Sequence, residues 1–380
     1  MRIGIDVRTI AGQSTGIGRY THSLIKSLAA VDRENEYLLY GFFFKNFDKG
    51  VLNRIIPNEK NFTFAGKRIP GRILSIIWRL GYLPLEYLVG ELDVLILPEC
   101  VTTPWAKGKT IVVIHDVAPF FAPQWYTNSA ASQITRRLKE ALGKTNRIIA
   151  ISNNTKKDLI KFMGLHEEII SVIHGAVDET FYKVDDGKVI TDIKKRYKID
   201  GKFILFVGTL EPRKNLNLLI TAYMKLRQKN AIEHRLVIVG KKGWTYKEIF
   251  EAVERLGISG DVIFTGYVPD EELVLFYNAA DLFVYPSFYE GFGLPPLEAM
   301  SCGTPVITSN TSSLPEVVGD AGIMIDPHDV EGLASAMEKV LHDEALRERM
   351  SKDGIDRAKL FSREKMAMST LKVLEDVFKG

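Results

Sequence analysis

A chain of 380 residues is longer than one hydrophobic core usually serves, and 46% apolar with 26% charged residues leaves no room for a large disordered fraction. The formal net charge of +3 gives no argument for a nucleic-acid partner, although it is unevenly spread: residues 1–180 carry 23 Lys and Arg against 17 Asp and Glu, the remainder 27 against 30. Cys100 and Cys302 stand far apart without metal-ligand spacing, so neither a disulfide framework nor a zinc site is supported and a reducing cytoplasm is the simplest expectation.

Met1-Arg2-Ile3-Gly4-Ile5-Asp6 enters a strand pattern at once. No apolar signal core precedes it and no run of about 20 apolar residues follows, so the expectation is a chain neither exported by that route nor spanning a membrane. Strands are expected near 2–7, 36–43, 93–97, 110–115, 146–151 and 170–174, with helices near 17–30, 128–143 and 153–163 between them. Near-continuous apolar runs such as Thr110-Ile111-Val112-Val113-Ile114 suit strands covered on both faces of a parallel sheet. After a polar stretch at 183–202, read as linker plus a short helix, the pattern restarts at Phe203-Ile204-Leu205-Phe206-Val207-Gly208. Further strands are expected near 235–239, 261–265, 281–285, 305–308 and 322–325. The fold class is therefore α/β, two doubly wound Rossmann-like domains facing across a cleft, with ligand sites beyond the carboxyl ends of the strands.

The richest segment is Tyr285-Pro286-Ser287-Phe288-Tyr289-Glu290-Gly291-Phe292-Gly293-Leu294-Pro295-Pro296-Leu297-Glu298. It reads as a strand end, a glycine-containing loop and a helix start with prolines where no intrahelical N–H is needed. Such a helix start favours an anion, and carboxylates on either side suit a ligand with hydroxyls at both ends of a diphosphate. Gly208-Thr209-Leu210-Glu211-Pro212-Arg213-Lys214-Asn215 follows the first strand of the second half, so Arg213 and Lys214 are placed to meet charge developing on a departing diphosphate. Thr15-Gly16-Ile17-Gly18-Arg19-Tyr20 is a glycine-rich loop ahead of a helix rather than a dinucleotide fingerprint, because Thr21 takes the third glycine's place. His115-Asp116 ends one strand and His174-Gly175 another; His115 is open to a structural or a substrate-contacting reading, and His174 is read as structural. Gly66 through Leu80 combines four cations with Ile, Leu and Trp, which fits a helix on an anionic lipid surface or one packed on the domain core.

Together with Gly266-Tyr267-Val268-Pro269 and Ala299-Met300-Ser301-Cys302-Gly303-Thr304-Pro305-Val306, these segments resemble the GT-B-fold retaining glycosyltransferases of family 4, in particular bacterial mannosyltransferases of O-antigen and related polysaccharides. The resemblance covers nearly the whole chain, and the Glu290/Glu298 spacing matches the family's paired-glutamate motif. It implies an acceptor-side domain at 1–182, a donor-binding domain at 183–362 and a final helix, 363–380, that returns to the first. It implies catalytic roles for Glu290, Arg213, Lys214 and His115: Glu290 and His115 on the transferred sugar, Arg213 and Lys214 on the diphosphate. Donor-binding roles fall to Gly16, Gly18, Thr209, Tyr267, Phe292, Gly293, Leu294 and Glu298, the last on the ribose hydroxyls. Ile173-His174-Gly175-Ala176 departs from the pattern, many relatives having Asn before the glycine and no inserted Ala, so no role is carried to His174.

The expected activity is retaining transfer of a hexosyl unit, mannose first, to a saccharide or lipid-linked saccharide. The expected donor is GDP-mannose, with a UDP-hexose second; no metal or other cofactor and no nucleic acid is expected. Contact with an anionic membrane at the inner face of the plasma membrane is the added expectation from residues 66–80. A nucleotide-sugar epimerase of the same architecture and a non-catalytic sugar-nucleotide-binding scaffold are the rivals.

Overall fold

The structure, a computed structural model, describes residues 1–10, 16–42, 56–80, 82–100, 104, 106–244 and 246–380. It divides into two compact units, Met1–Ala176 with Ser362–Gly380, and Val177–Phe361.

Among the described residues the first unit is built on seven strands: β1 (Arg2–Asp6), β2 (Glu36–Phe42), β3 (Phe62–Lys67), β4 (Val94–Leu97), β5 (Lys109–Ile114), β6 (Arg147–Ala150) and β7 (Ile170–Val172). All pair in parallel, in the order β3-β2-β1-β4-β5-β6-β7. The order reverses direction between β1 and β4, so the chain opens a crevice at their carboxyl ends. Five of the six β5 residues are buried, as a strand covered on both faces requires. Helix Gly16–Val31 buries Tyr20, Leu24 and Leu28 at a spacing of four, and the C-terminal helix Arg363–Lys379 packs against it, Met366 Sδ reaching Ser23 and Ser27 Oγ at 4.0 Å. The connecting helices begin where sequence chemistry places caps: Ser152 Oγ accepts from Thr155 N at 2.9 Å ahead of Asn153–Met163, which ends at Gly164 with φ 64°.

β3 is absent from the sequence reading, and the segment 66–80 is corrected by it. Gly66 and Lys67 close β3, and the helix is confined to Gly71–Arg79 behind Pro70, a residue in extended conformation. The strand escaped notice because it is an edge strand in which only Phe62 is buried, stacked at 4.4 Å on Tyr37 of β2.

The second unit carries β8 (Phe203–Val207), β9 (Arg235–Val239), β10 (Val262–Gly266), β11 (Leu282–Tyr285), β12 (Val306–Ser309) and β13 (Ile323–Ile325), all parallel in the order β10-β9-β8-β11-β12-β13. Its direction reverses between β8 and β11, the two strands that run into the Arg213-Lys214 and Glu290 segments. Gly208 and Gly240 let the ends of β8 and β9 close up: a Cβ on Gly240, whose φ is 156°, would lie 1.8 Å from the Gly208 carbonyl oxygen. Both sheets agree with the expected α/β class.

Candidate active site

Beyond β8 the chain makes one tight turn, Pro212–Lys214, and enters helix Leu216–Gln228 through Asn215 in the left-handed region at φ 57°. Asn215 tolerates that conformation and uses its side chain to hold the turn, Nδ2 donating to Pro286 O at 3.1 Å and Pro327 O at 2.7 Å. Phe288 N donates to Arg213 O at 2.9 Å, so the loops after β8 and β11 are fastened by backbone as well.

The fastening brings four charged side chains together. Glu290 Oε1 accepts from Lys214 Nζ at 2.7 Å and Oε2 from Arg213 Nη1 at 3.0 Å. Arg213 Nη1 also donates to Tyr289 O at 2.7 Å, and its Nε and Nη2 donate to Glu211 Oε1 at 3.1 and 2.8 Å. Lys214 Nζ donates to the Tyr285 hydroxyl at 2.7 Å. Glu211, Lys214 and Glu290 are all buried, 5%, 7% and 7% exposed, so the charges act on one another with little water between them.

Burial by itself would raise the Glu290 carboxyl, but Arg213 and then Lys214 outweigh it and hold the group at about 2. Burial, then the neighbouring Arg213 charge, lowers Lys214, against the pull of Glu290 and Glu211. Burial, reinforced by Glu290, raises the Tyr285 phenol, which stays neutral beneath the ammonium. Glu290 is therefore an anion held between the Arg213 guanidinium and the Lys214 amine.

Helix Leu294–Ser301 starts at Gly293, φ 125°, with Pro295 and Pro296 in its first turn. Those prolines carry no N–H and Leu297 N is bonded to Gly293 O at 3.2 Å, so of the four leading amides only Leu294 N–H has no partner among the described residues. Ser313 Oγ donates to Glu290 O at 2.8 Å and Phe292 O at 2.5 Å, and Ser312 Oγ accepts from Glu290 N at 2.9 Å, which fixes the loop from the far side. One turn into the helix, Glu298 is 3% exposed and accepts from the Tyr277 hydroxyl at 2.9 Å.

Of the other sequence candidates, Thr209 lies exposed after β8, while Phe292 is buried edge-on to Phe361 at 5.6 Å. Tyr267 follows β10, two strands from β8, half-exposed under Lys241 Nζ at 4.8 Å. Gly16 and Gly18 belong to the first turn of helix Gly16–Val31, and Thr15 lies outside the described residues. His115 sits in the first unit, where Nε2 donates to Pro98 O at 2.8 Å, leaving Nδ1 as the ring's other polar atom; burial lowers its pKa and favours the neutral ring. Sequence reasoning named neither Glu211, Tyr285 and Tyr277 nor Ser312 and Ser313 as site residues, although the first two lie inside the quoted segments.

The model of the glycosyl transferases group 1 matches residues 189–357, and that of glycosyltransferase family 4 matches residues 14–181. The chain is 32% identical over 382 residues to O-antigen chain mannosyltransferase B of Escherichia coli, covering 98% of each. The chain belongs to the family 4 glycosyltransferases. A second family member, the serotype-specific mannosyltransferase WbdA of E. coli, is 35% identical over 264 residues, which is 68% of this chain and 32% of the longer WbdA. The fold is that of HepE from Anabaena, solved with UDP and glucose, at 19% identity with a TM-score of 0.76 over 99% of this chain and 100% of that one. This glycosyltransferase is thus an enzyme of GT-B architecture, and neither the epimerase nor the scaffold reading is supported.

Proposed function

We propose that the chain is a retaining mannosyltransferase that moves mannose from GDP-mannose to a saccharide or lipid-linked saccharide acceptor during O-antigen or related polysaccharide assembly. A UDP-hexose is the second donor candidate. The observation that carries the reading is the Glu290-Arg213-Lys214 cluster at the β8/β11 crevice, in a chain related along its length to an O-antigen mannosyltransferase. Arg213 and Lys214 take the diphosphate, its charge replacing Glu290 as their counter-ion, and Glu290 turns to the hydroxyls of the transferred sugar. Glu298 holds the ribose. With same-face attack the leaving phosphate accepts the acceptor proton, so the protein's part is positioning and stabilisation of leaving-group charge.

Among the described residues no cluster of three or more His, Cys, Asp or Glu is poised to hold a metal, and the two cations can do a divalent ion's work on the diphosphate. The test is a screen of GDP-mannose, UDP-glucose and UDP-galactose with mannoside acceptors in EDTA. Mannosyl transfer with release of GDP is expected; transfer from a UDP-hexose alone would replace the donor assignment, and turnover that demands added magnesium would remove the metal-free mechanism.

We infer in addition a peripheral contact with anionic lipid at the inner face of the plasma membrane. Helix Gly71–Arg79 buries Leu74 and Trp78 but leaves Ile73, Ile76 and the following Leu80 51%, 57% and 61% exposed, on one side of the helix. Exposed Lys67 and Arg68 stand directly ahead of it.

A further inference from the structure

Lys214 is held by two partners of different kinds. Its Nζ donates to Glu290 Oε1 at 2.7 Å and to the Tyr285 hydroxyl at 2.7 Å. An ammonium has three N–H groups, and the third donates to nothing among the described residues. Two bonds from one tetrahedral nitrogen set the direction of the third. Glu290 and Tyr285 therefore decide between them where the remaining N–H is aimed.

The two partners differ in what donor binding does to them. Glu290 is the one given up when a diphosphate takes its place beside Arg213 and Lys214. Tyr285 has no such freedom. It is the last residue of β11 and 1% exposed, with its ring stacked on Phe206 of β8 at 5.7 Å and on Phe283 of its own strand at 5.8 Å. Lys214 Nζ lies 5.1 Å from the centre of that ring. A ring packed on two others cannot swing away, so its hydroxyl stays where it is through the exchange. Lys214 needs such an anchor because it is 7% exposed, and a buried ammonium that loses its carboxylate finds little water to replace it.

We infer that Tyr285 is a positioning residue: its hydroxyl holds the Lys214 ammonium while Glu290 turns to the transferred sugar, and so keeps the remaining N–H aimed at the diphosphate. The inference rests on the exchange of partners set out under the proposed function. Tyr285→Phe keeps the ring, both stacks and the cation over its face, and removes the hydroxyl alone. Calorimetry with GDP and with UDP on the full chain tests it. Affinity at about pH 7 should fall about tenfold in the variant, the loss of one hydrogen bond to a charged group. The alkaline limb of binding should also move down by about one pH unit, because the hydroxyl lone pair favours the ammonium over the amine. Burial and then Arg213 lower Lys214, Glu290 and Glu211 raise it, and all of these are common to both proteins, so they leave the comparison intact. In a Lys214→Met background, with no ammonium to hold, the same Phe substitution should cost less than about twofold. An equal loss in both backgrounds, or an alkaline limb that stays in place, would mean that Tyr285 only fills its strand, and would overturn the inference. A wild type that binds neither diphosphate would sink the donor-site reading itself, whereas equal binding by wild type and Tyr285→Phe would sink the positioning role alone.

Discussion

Glu290 faces two cations that a diphosphate would also claim, and Glu298, eight positions on, lies against Tyr277, so the two glutamates are not interchangeable. Glu298 is assigned to hydroxyls that do not change during reaction; Glu298→Ala should remove uniform binding and raise the donor KM by about tenfold, about 1.4 kcal/mol. Glu290 is assigned to a sugar that gains positive charge in the transition state, so Glu290→Gln should lower kcat on the order of 100-fold. Affinity for free nucleoside diphosphate should stay near wild type, because Arg213 and Lys214 remain. Calorimetry with the diphosphate beside steady-state kinetics with the donor separates these effects, and loss of diphosphate binding in Glu290→Gln but not in Glu298→Ala would reverse the proposed donor orientation. The same glutamate marks the acid limb of stability. Its pKa falls from 4.5 unfolded to about 2 folded, so the ionised form stabilises the fold above pH 4.5, and that contribution is lost as pH falls toward 2. Glu290→Gln should flatten thermal unfolding midpoints across that window; an unchanged slope would mean that other carboxylates dominate it.

At the scale of elements, the site depends on how closely the carboxyl ends of β8 and β9 approach. Gly240→Ala would drive a methyl into the Gly208 carbonyl as well as strain the backbone. Gly257, at φ 69°, has nothing within 4 Å of its missing Cβ, so Gly257→Ala carries the backbone term alone. Denaturant unfolding should find Gly240→Ala worse by at least about 2 kcal/mol, with activity lost alongside; equal penalties would mean that the strand ends yield without cost. The strands around this point were legible because buried parallel strands are written as short apolar runs: Phe203–Val207 and Leu282–Tyr285 are buried throughout. β3 was not legible, since an edge strand with one buried residue carries almost no pattern. The same contrast holds in the site. Arg213, Lys214 and Glu290 announce themselves by motif, whereas Tyr285 sits in the apolar run of β11 and shows its polar use only when Lys214 is folded onto it.

At the scale of the molecule, charge and apolar exposure fall on the same unit. Residues 1–180 hold 23 basic against 17 acidic side chains, and helix Gly71–Arg79 with its flanks exposes Ile73, Ile76, Leu80 and Tyr82. No helix among the described residues is long and apolar enough to cross a membrane. The peripheral contact proposed above consists of a few apolar side chains under headgroups with basic residues beside them. Each basic residue near an anionic surface contributes about 1 kcal/mol at moderate ionic strength, and that attraction falls away as the Debye length shrinks to about 3 Å at 1 M salt. The full chain should therefore float with vesicles of phosphatidylglycerol and phosphatidylcholine at low salt, float poorly with phosphatidylcholine alone, and be released by salt. Replacing Ile73 and Ile76 together by Ser removes apolar contact without touching charge or the buried Leu74 and Trp78; it should reduce flotation severalfold while leaving soluble-donor hydrolysis unchanged. If the wild type stays with the soluble fraction at low salt, the exposed face has another use. If the double variant floats as well as the wild type, charge alone makes the contact and the helix is a bystander.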